Sequence, residues 1–351
     1  MFTGVLKVVV VDDSALYRQM LLTVLGRIAG VEVVGTAADG DAAVELIARA
    51  KPDVVTLDVQ MPGRDGIEVL RALKQRGLTP RSIMVSSLTA QGAPTTVAAL
   101  MEGAFDFILK PAGVDLHVSR DHIQSELTEK LAAVRESMTP VDPAASPPLP
   151  EVPRRTTAAT RFDAIVIGTS TGGPQALRIV IPQLPADLSV PVFIVQHIPS
   201  QYTTSLAERL DGMSALRVRE ATDGMVVGPG QVLVAPGGRH LGVERRGESV
   251  VCVLDDGPHR RGCRPSVDHL IESAARLYGG RVLAAVLTGM GCDGLDGCRD
   301  LKQRGGTVLA QSAAGCVVYG MPKAVNDAGL VDEVVPLGQM ASRITAWLRG
   351  R

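Results

Sequence analysis

The chain has 351 residues, of which 46% are hydrophobic, and a formal net charge of -1. That length provides material for two ordinary domain cores. The balanced charge, without a marked block of Lys or Arg, argues against nucleic acid as the main partner. No apolar run approaches the ~18 residues of a membrane span. Lys7 and Asp12 bracket the only apolar stretch at the N-terminus, so we expect neither membrane insertion nor a signal peptide.

All five cysteines lie in the second half of the chain, and no two of them form a C-x-x-C pair. They are Cys252, Cys263, Cys292, Cys298 and Cys316. An odd number without that spacing argues against a disulfide framework or a zinc site. The composition therefore predicts a protein of the reducing cytoplasm.

Charged residues end three short apolar runs in the first third of the chain. The runs cover residues 8–11, 54–57 and 107–109, and the charged residues are Asp12 and Asp13, Asp58, and Lys110. Helix-like stretches separate the runs, which predicts βαβ units and a parallel sheet. Ligands of such sheets bind beyond the carboxyl ends of the strands, so we expect the charged groups to converge there. Clustered carboxylates suit a hard cation such as Mg2+, and an aspartate so placed can accept a phosphoryl group.

Taken singly, each of these features is more typical of a turn or a helix cap than of a site. Together with the turn after Asp58 and with Ser86 after an apolar run, residues 5–125 resemble the receiver domain of two-component response regulators. The resemblance implies that Asp58 is the phosphoacceptor and that a sensor histidine kinase is the phosphodonor. It assigns Mg2+ to Asp12, Asp13, Asp58 and the backbone of Gln60. It also implies switch roles for Ser86, Phe107 and Lys110.

The composition changes after the predicted receiver. Apolar residues recur at helical spacing over 123–134 and predict a helix to about Met138. Residues 139–160 are rich in proline and small residues and should form an extended, semi-rigid tether. We therefore predict a first domain at 5–125, a helix end and proline-rich linker at 126–160, and a second domain at 161–351.

The second domain opens on an apolar strand at 164–167, a turn over 168–173 and an apolar-periodic helix. Glycines at such a turn can hold a pyrophosphate, but the spacing is not G-x-G-x-x-G and no acidic residue lies near the expected ribose position. The turn also fits G-x-S-x-G, in which flanking glycines expose a serine above the sheet. Nucleotide binding and a nucleophilic Ser170 therefore remain competing interpretations of the turn itself.

A serine nucleophile needs a base. Among the six histidines, His197 is best placed, because it ends the apolar strand 192–196 one βα unit after Ser170. His240, His259 and His269 lie in polar stretches and are expected at the surface, with His259 as the reserve candidate.

The third group would be a carboxylate that orients the imidazole. Asp293 lies just past the apolar strand 282–287, on a glycine-rich loop. It could also be a simple turn residue, with Asp296 or Asp300 in its place. The order Ser, His, Asp differs from the Ser, Asp, His order of α/β-hydrolases and disfavours that fold.

Residues 5 to 349 resemble the chemotaxis response-regulator protein-glutamate methylesterases. The most specific motifs are the turn 168–173, Gln-His-Ile-Pro at 196–199, Ala-Pro-Gly-Gly at 235–238 with His240, Arg-Pro-Ser-Val-Asp at 264–268, and 288–294. Members of that family usually carry alanine where Thr169 stands and methionine where Ile198 stands. Cys292 beside Asp293 is also unusual. The differences at Thr169 and Ile198 do not touch a reacting atom, and nothing about Cys292 is expected to disable catalysis.

The resemblance implies an α/β fold with two doubly wound parallel-sheet domains, a flavodoxin-like receiver and a Rossmann-like esterase domain. It implies a phosphorylation-activated hydrolase that removes methyl groups from glutamyl methyl esters, and deamidates glutamines, on methyl-accepting chemotaxis receptors. Mg2+ would serve receiver phosphorylation, and the esterase reaction would need no cofactor.

The implied catalytic groups are Ser170, His197 and Asp293. Backbone N–H groups of Thr171, Gly172 and Met290 are the candidate oxyanion donors. An alternative from another class is a phosphorylation-controlled module that binds a nucleotide or a partner without reacting. A DNA-binding effector fits less well, because the C-terminal half is too long and too rich in strands for a helix-turn-helix unit.

Overall fold

The computed structural model describes residues 4–87, 92–110, 116–139 and 162–350. The chain divides into two compact units, Met1–Thr139 and Pro140–Arg351. From residue 140 onward the predicted proline-rich linker lies outside the described residues. Among the helices of the described part, none combines the length and the apolar composition that crossing a membrane requires.

The first unit is a five-stranded parallel sheet with the strand order β2-β1-β3-β4-β5. Its strands are β1 (Leu6–Val11), β2 (Val31–Ala37), β3 (Val54–Asp58), β4 (Arg81–Ser87) and β5 (Asp106–Lys110). Its helices are α1 (Ala15–Leu25), α2 (Gly40–Ala50), α3 (Gly66–Gln75), α4 (Gly92–Glu102) and α5 (Leu116–Met138). This order is that of flavodoxin-like folds, as predicted, and it brings the ends of β1, β3 and β5 to one edge.

Hydrophobic periodicity explains how these elements pack. The side chains of β3 are buried along its whole length, as expected of a central strand covered on both faces. In α5 the apolar positions Ile123, Leu127, Leu131 and Val134 are all fully buried. The helix ends at Met138, where the sequence pattern predicted its end.

The second unit contains a seven-stranded parallel sheet with the order β14-β13-β12-β6-β7-β9-β8. Its strands are β6 (Ala164–Thr169), β7 (Val192–Gln196), β8 (Arg217–Glu220), β9 (Gln231–Val234), β12 (Val282–Val286), β13 (Thr307–Gln311) and β14 (Glu333–Val335). Its helices are α6 (Gly173–Val180), α7 (Ser200–Asp211), α8 (Val267–Tyr278), α9 (Leu295–Gln303), α10 (Met321–Asp327) and α11 (Met340–Leu348). Both predicted parallel-sheet domains are therefore confirmed.

An antiparallel hairpin, β10 (His240–Arg246) and β11 (Ser249–Asp255), accompanies this sheet. This hairpin was not predicted from the sequence. Helix α8 packs against β10. The second unit therefore contains an antiparallel pair of strands in addition to its parallel sheet. Val243 of β10 and Cys252 of β11 are buried in the core of this unit.

The strand order positions the candidate site. Strand β6 lies between β12 and β7, and chain order reverses between β6 and β12. Crevices at such reversals, beyond the carboxyl ends of the strands, bind ligands in open α/β sheets. The predicted serine, histidine and aspartate follow β6, β7 and β12 respectively, so all three belong to this edge.

Candidate active site

Ser170 lies on the tight turn between β6 and α6. Its carbonyl accepts a hydrogen bond from the backbone N–H of Gly173 at 2.8 Å, and its own N–H donates to the carbonyl of Thr288 at 3.0 Å. The turn needs glycine at two places. Gly172 has a φ of 78°, and a Cβ at Gly173 would lie 1.8 Å from Oε1 of Gln196. The glycines thus allow the serine segment to pack closely against the neighbouring strand end.

Gln196 joins the serine turn to the histidine. Its Nε2 donates to the carbonyl of Ser170 at 2.9 Å and to the carbonyl of His197 at 3.0 Å, and its Oε1 accepts from the Thr169 hydroxyl. Because β6 and β7 pair Thr169 with Gln196, Ser170 and His197 are each the next residue along adjacent strands. No role was predicted for this buried amide from the sequence, although Gln196 is part of the Gln-His-Ile-Pro motif.

His197 is hydrogen-bonded to Asp293, with 2.9 Å between Nε2 and Oδ2. The Asp293 side chain is only 2% exposed, and that of His197 is 14% exposed. Burial opposes ionisation of Asp293. The hydrogen bond and charge of His197, with backbone donors, nevertheless lower the pKa of Asp293 to about 2. An ionised carboxylate only accepts hydrogen bonds, so Nε2 carries a hydrogen, and in the neutral imidazole Nδ1 is the nitrogen that can act as a base.

The start of α8 holds the Asp293 carboxylate in place. The backbone N–H groups of Val267 and Asp268 donate to it at 2.7 Å and 3.0 Å, and the hydroxyl of Ser266 donates at 2.8 Å. A helix N-terminus favours negative charge, so this geometry stabilises the ionised form. The orientation of the imidazole therefore depends on backbone donors at the start of α8, which precede Asp293 by more than twenty residues in the sequence.

Opposing effects set the protonation of His197. Burial would lower the pKa of the imidazole, but hydrogen bonding and electrostatic attraction from Asp293 and Cys263 raise it to about 9. The Sγ atom of Cys263 lies 3.6 Å from Nδ1. Asp293 thus stabilises the imidazolium, the state that forms when His197 takes up a proton.

The predicted oxyanion donors flank the serine. Thr171 and Gly172 follow Ser170 directly and precede α6. Met290 follows Gly289, whose backbone is so close to the serine that a Cβ there would lie 2.7 Å from Cβ of Ser170. Three candidate backbone N–H groups therefore belong to segments in contact with the nucleophile, and their role stays a prediction.

The other candidates for the base and for the orienting carboxylate are His259, Asp296 and Asp300, and their environments differ from those of His197 and Asp293. His259 is exposed. Asp296 forms an ion pair with Arg261, and Asp300 forms one with Arg304 at 2.9 Å. Of the candidates that the sequence left open, the structure brings only Asp293 into contact with His197.

The expectation that His240 is a surface residue is wrong. Its side chain is 1% exposed and stacks on His269, with 4.7 Å between ring centroids. Nδ1 of His240 accepts from the backbone N–H of Ser266 at 3.2 Å, and Nε2 lies 3.0 Å from the carbonyl of Pro258. His240 therefore supports Ser266, which in turn binds Asp293. Its place in the Ala-Pro-Gly-Gly-x-His motif was the signal that could have identified it.

The first unit carries the second predicted site. Lys110 Nζ lies 2.7 Å from Oδ2 of Asp58 and 2.9 Å from Oδ2 of Asp12. Burial raises the pKa of Asp58 to about 6, against the opposing effect of Lys110. One carboxylate oxygen from each of Asp12, Asp13 and Asp58 lies within 4.8 Å of the others. This all-oxygen donor set fits Mg2+, which would favour the ionised form of Asp58.

The other residues predicted for the receiver site are Ser86, Phe107 and Gln60. The hydroxyl of Ser86 lies 2.7 Å from the hydroxyl of Thr96. Phe107 is buried, with 9% of its surface exposed. The N–H of Gln60 donates to Oδ1 of Asp58 at 3.3 Å. A metal contact from the Gln60 carbonyl remains a prediction.

Two family models match the chain. The CheB methylesterase model matches residues 165–344, and the response regulator receiver domain model matches residues 8–120. A protein-glutamate methylesterase/protein-glutamine glutaminase from Myxococcus xanthus is 44% identical and covers 98% of both chains. This chain belongs to the CheB methylesterase family.

Further comparisons agree with that assignment. A protein of the same name from Thermotoga maritima is 43% identical over 97% of this chain and 98% of its own length. The crystal structure of the Thermotoga maritima CheB methylesterase catalytic domain is 43% identical, with a TM-score of 0.51, and covers 52% of this chain and 97% of that chain. The non-reacting nucleotide-binding or partner-binding alternative is not favoured by these matches.

The contacts of Asp293 lead to a prediction about its mutation. We expect Asp293→Asn to reduce ester hydrolysis by on the order of 10^4-fold, less than loss of the serine or histidine, because the carboxylate orients the base without making or breaking bonds. Steady-state kinetics on methylated substrate would measure the effect. Asp300→Asn is the matched control, since Asp300 pairs with Arg304 on the surface of α9. Normal activity of a folded Asp293→Asn protein would exclude Asp293 as the orienting group.

Proposed function

We propose that Ser170, His197 and Asp293 form the catalytic triad of a phosphorylation-activated protein-glutamate methylesterase and glutamine deamidase. The observation that carries this proposal is the 2.9 Å hydrogen bond between His197 and Asp293, beside the serine turn on the adjacent strand. Membership of the CheB methylesterase family supports the ester substrate, and it supports chemoreceptors as the proteins that carry the ester.

The proposed reaction begins with Oγ of Ser170 attacking the γ-carbonyl carbon of a glutamyl methyl ester. Nδ1 of His197 takes the serine proton, while Asp293 accepts the hydrogen bond from Nε2–H and stabilises the imidazolium. The tetrahedral oxyanion accepts hydrogen bonds from backbone N–H groups among Thr171, Gly172 and Met290. The imidazolium then protonates the leaving methoxide, and methanol departs.

Water completes the cycle. His197 removes a proton from a water molecule that attacks the acyl-enzyme, and return of that proton to Ser170 releases glutamate. Deamidation follows the same course with a glutamine side chain, in which the imidazolium protonates the leaving nitrogen and ammonia departs. One site therefore serves both substrates.

Asp58 is the proposed point of control. Its carboxylate attacks the phosphorus of a phosphohistidine on a sensor kinase, the P–N bond breaks and the kinase imidazole leaves, and Lys110 pairs with the resulting acyl phosphate. Mg2+ bound by Asp12, Asp13 and Asp58 would neutralise charge on the phosphoryl oxygens. Ser86 leaves Thr96 to engage the phosphoryl group, and Phe107 changes its packing.

Five free cysteines support the cytoplasm as the location of these reactions.

Methanol release from a methylated chemoreceptor is the direct test of this function. Purified full-length protein should release methanol from the receptor and produce glutamate at the methylated positions. Labelling with a serine-directed organophosphonate should give an adduct on Ser170. Absence of methanol release with both phosphorylated and unphosphorylated protein would contradict the proposed activity.

Substitution of Asp58 should separate regulation from chemistry. We expect Asp58→Asn to abolish the stimulation of methanol release by acetyl phosphate with Mg2+, because an amide cannot accept the phosphoryl group, while basal activity remains. Asp41→Asn is the control, since Asp41 is an exposed partner of Arg64. A shift of the equilibrium between inactive and active enzyme from 1:99 to 99:1 requires a free-energy difference of ~5.5 kcal/mol. We therefore expect one phosphoryl group to activate the enzyme only partially. Undiminished stimulation of Asp58→Asn would rule out Asp58 as the phosphoacceptor.

A further inference from the structure

Cys263 faces the nitrogen of His197 that the proposed mechanism uses as the base. Its Sγ atom lies 3.6 Å from Nδ1, and the side chain is half-buried rather than enclosed. One potential ligand atom from each of His197, Cys263 and Asp293 lies within 4.8 Å of the others. A thiol and an imidazole nitrogen at this separation are a donor pair suited to a borderline-soft cation.

The separation of the two donor atoms matches a particular metal. In tetrahedral zinc sites the Zn–S bond is about 2.3 Å and the Zn–N bond about 2.1 Å, so two such ligands at a tetrahedral angle are about 3.6 Å apart. The Sγ to Nδ1 distance in the structure is 3.6 Å. The pair could therefore bind Zn2+ without a change in the positions of the donor atoms.

The surroundings of His197 also fit a metal ligand. Histidines that bind zinc usually donate their other ring N–H to a carboxylate, which fixes the ring and increases its basicity. Nε2 of His197 already has this contact with Oδ2 of Asp293. Since the Asp293 oxygens also accept hydrogen bonds from Val267 and Asp268, this carboxylate is suited to orient the ligand rather than to bind the ion.

The other cysteines differ from Cys263. Cys252 and Cys298 are fully buried. Cys292 accepts a hydrogen bond from Arg261 at 3.1 Å, and Cys316 donates to the carbonyl of Ser312 at 3.5 Å. Within the described residues, Cys263 is the thiol that contacts a histidine ring nitrogen.

The spacing of the cysteines argued against a zinc site, but local spacing does not report on donors that are 66 residues apart in the sequence. We propose that Cys263 Sγ and His197 Nδ1 form a Zn2+ site, with water in the remaining positions, and that Zn2+ bound there inhibits the esterase. The inhibitory part of this inference rests on the proposed function. The metal occupies the lone pair that must take the proton of Ser170. Binding releases the thiol proton of Cys263 to solvent, and a second proton if His197 begins as an imidazolium.

Cobalt substitution tests the site without reference to activity. Full-length protein loaded with Co2+ should show a thiolate-to-cobalt charge-transfer band in the near ultraviolet, and excess Zn2+ should remove it. Carboxylates of the receiver cannot produce this band, because it requires sulfur. We expect Cys263→Ala and Cys263→Ser to lack the band and Cys292→Ala to retain it. A missing band in the unmodified protein, or a persistent band in Cys263→Ala, would overturn the proposal.

Inhibition provides the second measurement. Zn2+ should inhibit methanol release in the absence of acetyl phosphate, and EDTA should restore it. We expect the inhibition constant to rise at least about tenfold in Cys263→Ser and to remain unchanged in Cys292→Ala. Equal inhibition of the unmodified and Cys263→Ser proteins would overturn control at this site. If the unmodified protein releases no methanol, the proposed function fails, and the cobalt band still decides whether the metal site exists.

Discussion

Ser170→Ala should reduce the rate of ester hydrolysis by on the order of 10^4 to 10^6-fold, because the substitution removes the atom that forms the acyl-enzyme. The residual rate would come from substrate binding and oxyanion stabilisation. The fold should persist, since the turn is held by the backbone of Ser170 through Thr288, Gly173 and Gln196 rather than by its hydroxyl.

Methanol release from methylated receptor, with saturating substrate, measures this loss. Thermal unfolding of the same preparation checks the fold. Ser249→Ala, at the exposed start of β11, is the matched control and should leave the rate unchanged. Hydrolysis by Ser170→Ala at a rate close to that of the unmodified enzyme would exclude a serine mechanism.

His197→Ala should be nearly as severe, with a loss on the order of 10^4 to 10^6-fold, because the serine then lacks the group that removes its proton. Here stability also matters. Asp293 is 2% exposed and would lose a hydrogen-bond donor, which costs about 1–3 kcal/mol in the free energy of unfolding.

Two variants separate chemistry from stability. His197→Gln retains an N–H donor that can reach Asp293 but cannot act as the base, so it should fold more stably than His197→Ala and remain as inactive. His259→Ala changes the exposed reserve histidine and should have full activity. If His197→Gln hydrolysed the ester at a normal rate, the base would have to be sought elsewhere. Denaturant unfolding and steady-state kinetics provide both readings.

Much of the fold follows from local patterns in the sequence. The apolar runs before Asp12, Asp58 and Lys110 predict parallel strands whose ends meet, because strands in βαβ units share one direction. The contacts of Lys110 with both aspartates agree with that expectation. The period of α5 and the glycine turn around Ser170 were likewise visible, since helical spacing and glycine conformations are local properties.

Contacts between segments that are far apart in the sequence were harder to predict. The sequence left Asp293, Asp296 and Asp300 open, because all three lie near one strand end and only packing decides which side chain reaches His197. Structure places the start of α8 beneath Asp293, where its N–H groups bind the carboxylate. No periodicity in the sequence encodes that approach.

The sequence by itself determined the two parallel-sheet domains and the strand ends that carry Ser170, His197 and Asp58, because hydrophobic period, glycine and chain order act locally. Only the tertiary structure decided that His240 is buried behind Ser266 and that Cys263 faces His197. These partners are separated by 26 and 66 residues respectively. Their proximity arises from how the loops and α8 pack across the edge of the sheet. The polar neighbours of His240 in the sequence did not indicate that its side chain is buried in the fold.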